Sequence, residues 1–153
     1  MLTQISKSFH DFYYGGNWTG VCYHEVMKDV SREIATHRVE GFHTIAELAY
    51  HIHYYVLAAT DVLSGLPLTA KDSLSFNCPV IASASDWHTL MAGLESAYKK
   101  LMSLIEALPE EKLKDAFADE KYGTYYRNLS GIVEHAHYHL GQMVFLKRLM
   151  LQS

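Results

Sequence analysis

Apolar residues recur at helical spacing along four long stretches of the chain, and nothing of comparable length alternates as a strand would. The first runs from Trp18 or Thr19 to Ile34, carried by Val21, Val26, Val30 and Ile34. A shorter helical piece, Gln4 to Tyr14, precedes it and stops at Gly15-Gly16. The second stretch follows His43, with Thr44 as cap and Glu47 at the capping-box position. Its stripe is Ile45, Leu48, Ala49, Ile52, Val56, Ala59, Val62 and Leu63, and Gly65-Leu66-Pro67 ends it. The third starts at Ser85 or Asp86 and continues through Trp87, Leu90, Leu94, Tyr98, Leu101 and Leu104 to Leu108. Pro109-Glu110-Glu111 then opens a short turn around Lys112. The fourth begins near Asn128 or Ser130 and carries Ile132, Val133, Ala136, Leu140, Met143, Val144, Leu146 and Met150.

Two connections are long, residues 66–84 and 114–127. A crossover of that length allows neighbouring helices to run parallel as well as antiparallel. The pattern predicts an all-α protein, a four-helix bundle with at least one crossover, forming one domain over residues 1–153.

Composition removes several functions. A net charge of −4, with Lys99-Lys100 and Lys147-Arg148 as the only basic doublets, offers no surface for nucleic acid. No apolar run approaches a membrane span, and the opening MLTQISKSFHDFYYGG lacks a signal peptide's basic-then-apolar pattern. Cys22 and Cys78 stand in unrelated contexts without a CxxC, which fits a reduced, cytoplasmic protein. The unusual counts are 10 histidines and 11 tyrosines. Such a density raises the chance of metal chemistry and also of accidental chelating spacings, so position must decide.

The run HAHYHLGQ answers that test. Helix phase puts His135 and His139 one turn apart on the inward flank of the Ile132, Ala136, Met143 stripe, with Gln142 on the same side. His137 falls on the opposite flank and is expected to be a bystander. In the second stretch His51 and His53 occupy the two borders of the Leu48, Ile52, Tyr55 stripe, and phase favours His51 slightly. A lone histidine beside a core is ordinarily a polar residue satisfied by a carbonyl or a tyrosine. An inward pair with a third imidazole on a packed neighbour tilts the reading towards an open metal site.

Other metal motifs fail on the letters. A zincin requires HExxH, and Ala136 follows His135. A di-iron bundle requires paired Glu-x-x-His; Glu134-x-x-His137 and Glu40-x-x-His43 match, yet Glu134 points off the stripe and Glu40 precedes its helix.

The order of segments GGNWTGVCYHEVM, HTIAELAYHI, LSG, SDWHTLMAGLESAYKKLMSLIEALPEEKL and EHAHYHLGQMVFLKRL resembles the DinB/YfiT-like superfamily of metal-site four-helix bundles. That family's closing motif has two histidines four apart followed by Arg-Gly-Gln. Here His135, His139, Gly141 and Gln142 match, while Leu140 replaces the common arginine. The resemblance implies metal ligands at His51, His135 and His139, a nickel or zinc ion, and a homodimer. Activities in the family include thiol transfer, in which a low-molecular-weight thiol such as bacillithiol or mycothiol attacks an electrophile, and related isomerisation.

The expected reaction is therefore thiol-dependent S-transfer on a small-molecule substrate. Gln142 would orient His135 or His139 or touch substrate, its plainer alternative being a helix-surface amide. Metal-assisted hydrolysis uses the same ligands, although neither Glu47 nor Asp61 can be placed as general base from spacing. A non-catalytic metal-binding stress-response bundle is the reading from another class. Tyr138, Phe145 and Leu149 form an outer apolar stripe that suits a two-fold dimer, or cover by the N-terminal segment or a long loop. Tyr13, Tyr14, Trp18, Tyr125 and Tyr126 are either pocket-mouth aromatics or core and rim residues.

Overall fold

The computed structural model describes residues 1–151. Among these residues six α-helices follow one another: α1 (Leu2–Tyr14), α2 (Tyr23–Met27), α3 (Arg32–Thr36), α4 (Ile45–Leu63), α5 (Ala84–Ala107) and α6 (Tyr125–Leu151). Among the described residues extended pairing is limited to one bridge, Ala116 with Thr124. Nor, among them, is any helix long and apolar enough to cross a membrane.

The bundle's corners are α1, α4, α5 and α6. Both α1 and α4 pack on α5 and on α6, which sets α1 and α4 at opposite corners. Between them lie Phe9 and Phe12 of α1, Leu48, Ile52 and Val56 of α4, Leu94, Leu101 and Ile105 of α5, and Leu129, Ala136, Leu140 and Met143 of α6, all buried. This is the helical-bundle solution to burying four apolar stripes at once.

The first corner differs from the expected one. Residues 18–34 do not form a long helix; they fold into the five-residue α2 and α3, while the shorter Gln4–Tyr14 piece belongs to the corner helix α1. Local polar side chains explain the break. Asn17 Nδ2 donates to the carbonyls of Asp11 and Val21, and its Oδ1 accepts the Thr19 N–H. Gly20 takes φ +67°, and Ser31 restarts the helix by accepting the Ile34 N–H. Side chains that bind nearby backbone compete with helix in this way. The α1 stripe instead buries Ile5, Phe9, Phe12 and Tyr13, with Phe9 and Phe12 ringed against Tyr98 of α5.

The Thr44–Glu47 capping box forms as expected. At α5 the cap is Ser83, two or three residues before the expected Ser85 or Asp86, and Asp86 closes a capping box with it instead of starting the helix. At α6 the helix starts at Tyr125: Thr124 Oγ1 accepts the Arg127 N–H, and Asn128 turns its amide back to the Tyr122 and Thr124 carbonyls. Pro109 leads into a short 3₁₀ turn at Glu110–Lys114 that packs Leu113 under α6.

The crossover between α4 and α5 is fastened to α4. Tyr54 Oη both donates to the Lys71 carbonyl and accepts its N–H, at 3.0 and 2.7 Å. One residue along, Tyr55 donates to Asp72 Oδ1 at 2.9 Å. These ties bring Ser75 and Phe76 down on the α4 face that carries His51.

Candidate metal centre

The last helix and α4 bring three imidazoles to one point. His135 and His139 stand one turn apart on α6 with Nε2 atoms 2.9 Å from each other, and His51 Nε2 of α4 lies 3.0 Å from that of His135. The donor atoms of all three lie within 4.8 Å of one another. His51 and His139 are buried and His135 is partly so. Among the described residues this is the one group of three or more histidine, cysteine or carboxylate side chains close enough to share an ion.

Gln142 sets the tautomer. Its Nε2 donates to Tyr138 Oη at 3.3 Å, and its Oε1 stands 2.7 Å from His139 Nδ1. In this orientation of the amide a carbonyl oxygen faces His139 Nδ1 and can only accept. His139 Nδ1 therefore carries the proton, and its Nε2 presents a bare lone pair to the cluster. The remaining two rings cannot satisfy it and each other together. A proton on His135 Nε2 can point at only one of its two neighbours, so one contact between lone pairs persists. A cation at the centre resolves that contact, and three neutral imidazoles suit a borderline divalent ion better than a hard one.

Electrostatics agree with the geometry. Burial, then the nearby His139 and His135, pushes the His51 pKa down to about 4. Burial and His139 do the same to His135, also to about 4. His139 is lowered by burial, against the opposing pull of its bond to Gln142. At neutral pH all three rings are therefore neutral imidazoles, and no imidazolium charge opposes a cation at their centre.

Aromatic rings wall the cluster. Phe76 stacks on His51 with centroids 3.8 Å apart and 10° from parallel. Tyr55 sets its ring edge-on to both His51 and His135, at 5.1 and 5.0 Å. His51 Nδ1 is buried without a completed hydrogen bond, although the Ser75 backbone acts on the ring and favours its protonated form.

Other residues singled out by sequence lie elsewhere. His137 Nδ1 donates to the Val133 carbonyl at 2.9 Å and its ring meets the edge of Phe12. His53 is half-buried against Gly93 in a cavity of about 470 Å³ that also takes in Tyr50, Leu57 and Leu90. Glu134, Glu40 and Asp61 are exposed. Leu140, in place of the common arginine, is buried in the core. Tyr13 and Tyr125 are core residues, and Trp18 is 99% exposed; none of these lines the cluster. Cys22 and Cys78 are free thiols.

Two of the residues that wall the cluster, Tyr55 and Phe76, are not marked as site residues by the sequence pattern. Tyr55 carried a usable signal, since it lies four residues after His51 on the same stripe. Phe76 carried none, because its position depends on how the crossover is tied to α4.

The fold and this cluster define a helical bundle whose three histidines can hold a metal ion. The chain belongs to the DinB superfamily, whose family model matches residues 22–143. That span contains His51, His135, His139 and Gln142. No curated protein and no solved structure matches the chain.

Proposed function

We propose that the protein is a metal-dependent enzyme of the thiol S-transferase kind, with zinc or nickel held by His51, His135 and His139. The observation that carries this reading is the convergence of three neutral imidazole Nε2 atoms without any carboxylate in the cluster. A zinc or nickel ion there would supply uncompensated positive charge, favouring the ionised form of a thiol or water brought to it. Membership of the DinB superfamily is compatible with such a site.

The chain's own residues would do the remaining work. Gln142 holds His139 in the ligating tautomer. Phe76 and Tyr55 exclude water from two sides and fix the ring planes. Beyond Tyr55 lies a cavity of about 420 Å³, lined by Ala58, Leu68, Lys71, Asp72 and Ile132 among others, which offers room for a small substrate. Tyr55 keeps its proton, since burial and the Asp72 carboxylate it donates to both raise its pKa.

The test supplies the zinc- or nickel-loaded protein with 1-chloro-2,4-dinitrobenzene, with and without cysteine. Chloride release that requires cysteine above the uncatalysed rate supports transfer. Equal release without thiol would assign hydrolysis instead, and none with either would leave a bundle that binds metal without turnover on this class of electrophile.

A further inference from the structure

The three-histidine cluster lies where α4 meets α6, and a separate cavity of about 470 Å³ opens where α4 meets α5. Small-molecule pockets ordinarily hold about 300–1,000 Å³. Tyr50 and Leu57 of α4, Val80 and Ile81 of the crossover, and Leu90 of α5 supply its walls. Val80 and Leu57 stand 87% and 44% exposed, so the mouth of the cavity offers apolar surface that a bound molecule would cover.

The hydrogen-bonding feature of this cavity is His53. A Cβ at Gly93 would lie 3.3 Å from its Cε1, tighter than an ordinary contact, so the glycine gives the imidazole its seat in the wall. Glycine is disfavoured inside a helix, and here the room it leaves is taken by that ring. Among the described residues no protein hydrogen bond reaches either nitrogen of the half-buried His53. An imidazole carries at least one N–H in every tautomer and charge state, so the wall always presents a donor.

Charge narrows the class of ligand. The lining contains no lysine or arginine, and its one carboxylate, Asp86, is already engaged. Asp86 Oδ2 accepts the Ser83 N–H at 2.8 Å, and the positive charge of Arg32 acts on the same group. A carboxylate or phosphate would find no cation here, and an ammonium only a carboxylate that is taken. The rings of Tyr50 and Tyr54 stand 6.4 Å apart and 41° from parallel, and Tyr54 is pinned by its two bonds to Lys71. Such walls favour an aromatic ring beyond the area it buries. We propose that the cavity between α4 and α5 is a second binding site, for an uncharged aromatic molecule whose carbonyl oxygen accepts a hydrogen bond from His53. This holds whether or not the three histidines catalyse transfer.

The test uses 4-fluoroacetophenone and 4-fluoroethylbenzene, which share a shape and differ in the carbonyl. The chelator-treated chain, in which no ion can take the ketone oxygen, is titrated with each, and binding is read from fluorine NMR line widths. Wild type is expected to bind the ketone about 3–10-fold more tightly, the contribution of one hydrogen bond. His53→Phe keeps the apolar contact and is expected to bind the two probes alike. Thr89→Trp, at an exposed lining position, fills the cavity and is expected to bind neither. His53→Leu replaces His53→Phe if the latter melts early. Zinc loading is expected to leave the ketone affinity unchanged. A wild type that binds neither probe overturns the proposal, as does a ketone preference that survives the loss of His53. Binding that persists in Thr89→Trp, or that strengthens with zinc, puts the ketone at another place on the molecule and overturns it too.

Discussion

Gln142 shows how much one side chain can settle. Its carbonyl faces His139 Nδ1 and fixes that ring's tautomer, while its amide nitrogen donates to Tyr138. Outer partners of metal-bound histidines typically contribute about 10–100-fold in metal affinity. Gln142→Leu is accordingly expected to weaken zinc binding by about that factor without unfolding the protein, as measured by competition with a chromogenic chelator. Unchanged affinity would return Gln142 to the role of a surface amide. The residue scale is also where the sequence was most and least legible. His135 and His139 could be paired because both lie on one helix, where a spacing of four fixes relative direction. His51 and His53 could be separated only slightly by phase, since the answer depends on which neighbour α4 meets. In the folded chain His51 meets α6, and His53 packs towards Gly93 of α5.

Helices are set by local signals, and where such signals were strong the expected boundaries agree with the structure. The Thr44–Glu47 box and the Gly65-Leu66-Pro67 stop delimit α4 as expected. The long first helix did not form because apolar spacing over residues 18–34 was outweighed by Asn17, Gly20 and Ser31, whose polar and conformational preferences act over three or four residues. At α5 the cap itself is Ser83. Ser83→Ala removes the acceptor for the Asp86 N–H and should cost about 1 kcal/mol of stability, the usual value for an N-cap. For a chain of this size that corresponds to a melting point about 2–4 °C lower, with metal content unchanged. A melting point that does not move would show that Ser83 does not carry the helix start. The crossover was legible as a long connection, but its contribution to the site was not. Phe76 reaches His51 only because Tyr54 and Tyr55 tie Lys71 and Asp72 to α4, a tertiary pairing with no local periodicity.

At the scale of the whole molecule, the cluster is a charge arrangement that the metal-free fold tolerates only when neutral. Burial holds His51 and His135 at about 4, against an ordinary value near 6.5, and His139 and His53 are lowered as well. As pH falls below 6.5 the unfolded chain takes up protons that the folded chain refuses, so stability declines through the window down to about 4. The chelator-treated protein should therefore melt progressively lower between pH 7 and pH 5, above the range where most carboxylates titrate. The double variant His51→Ala, His135→Ala should show a shallower slope, and identical slopes would contradict the assignment of the acid lability to these rings. The outer residues Tyr138 and Phe145 remain exposed in the single chain, at 64% and 53%, and a homodimer that covers them is our proposal for that face. Sedimentation of the wild type against Phe145→Lys would show it as a shift from dimer to monomer, and a monomeric wild type would dismiss it. Elemental analysis of protein loaded with zinc or nickel and freed of excess by gel filtration should give about one ion per chain for wild type and close to none for the double variant His135→Ala, His139→Ala, since a single remaining imidazole binds such ions weakly. Full metal content in that variant would contradict the account outright.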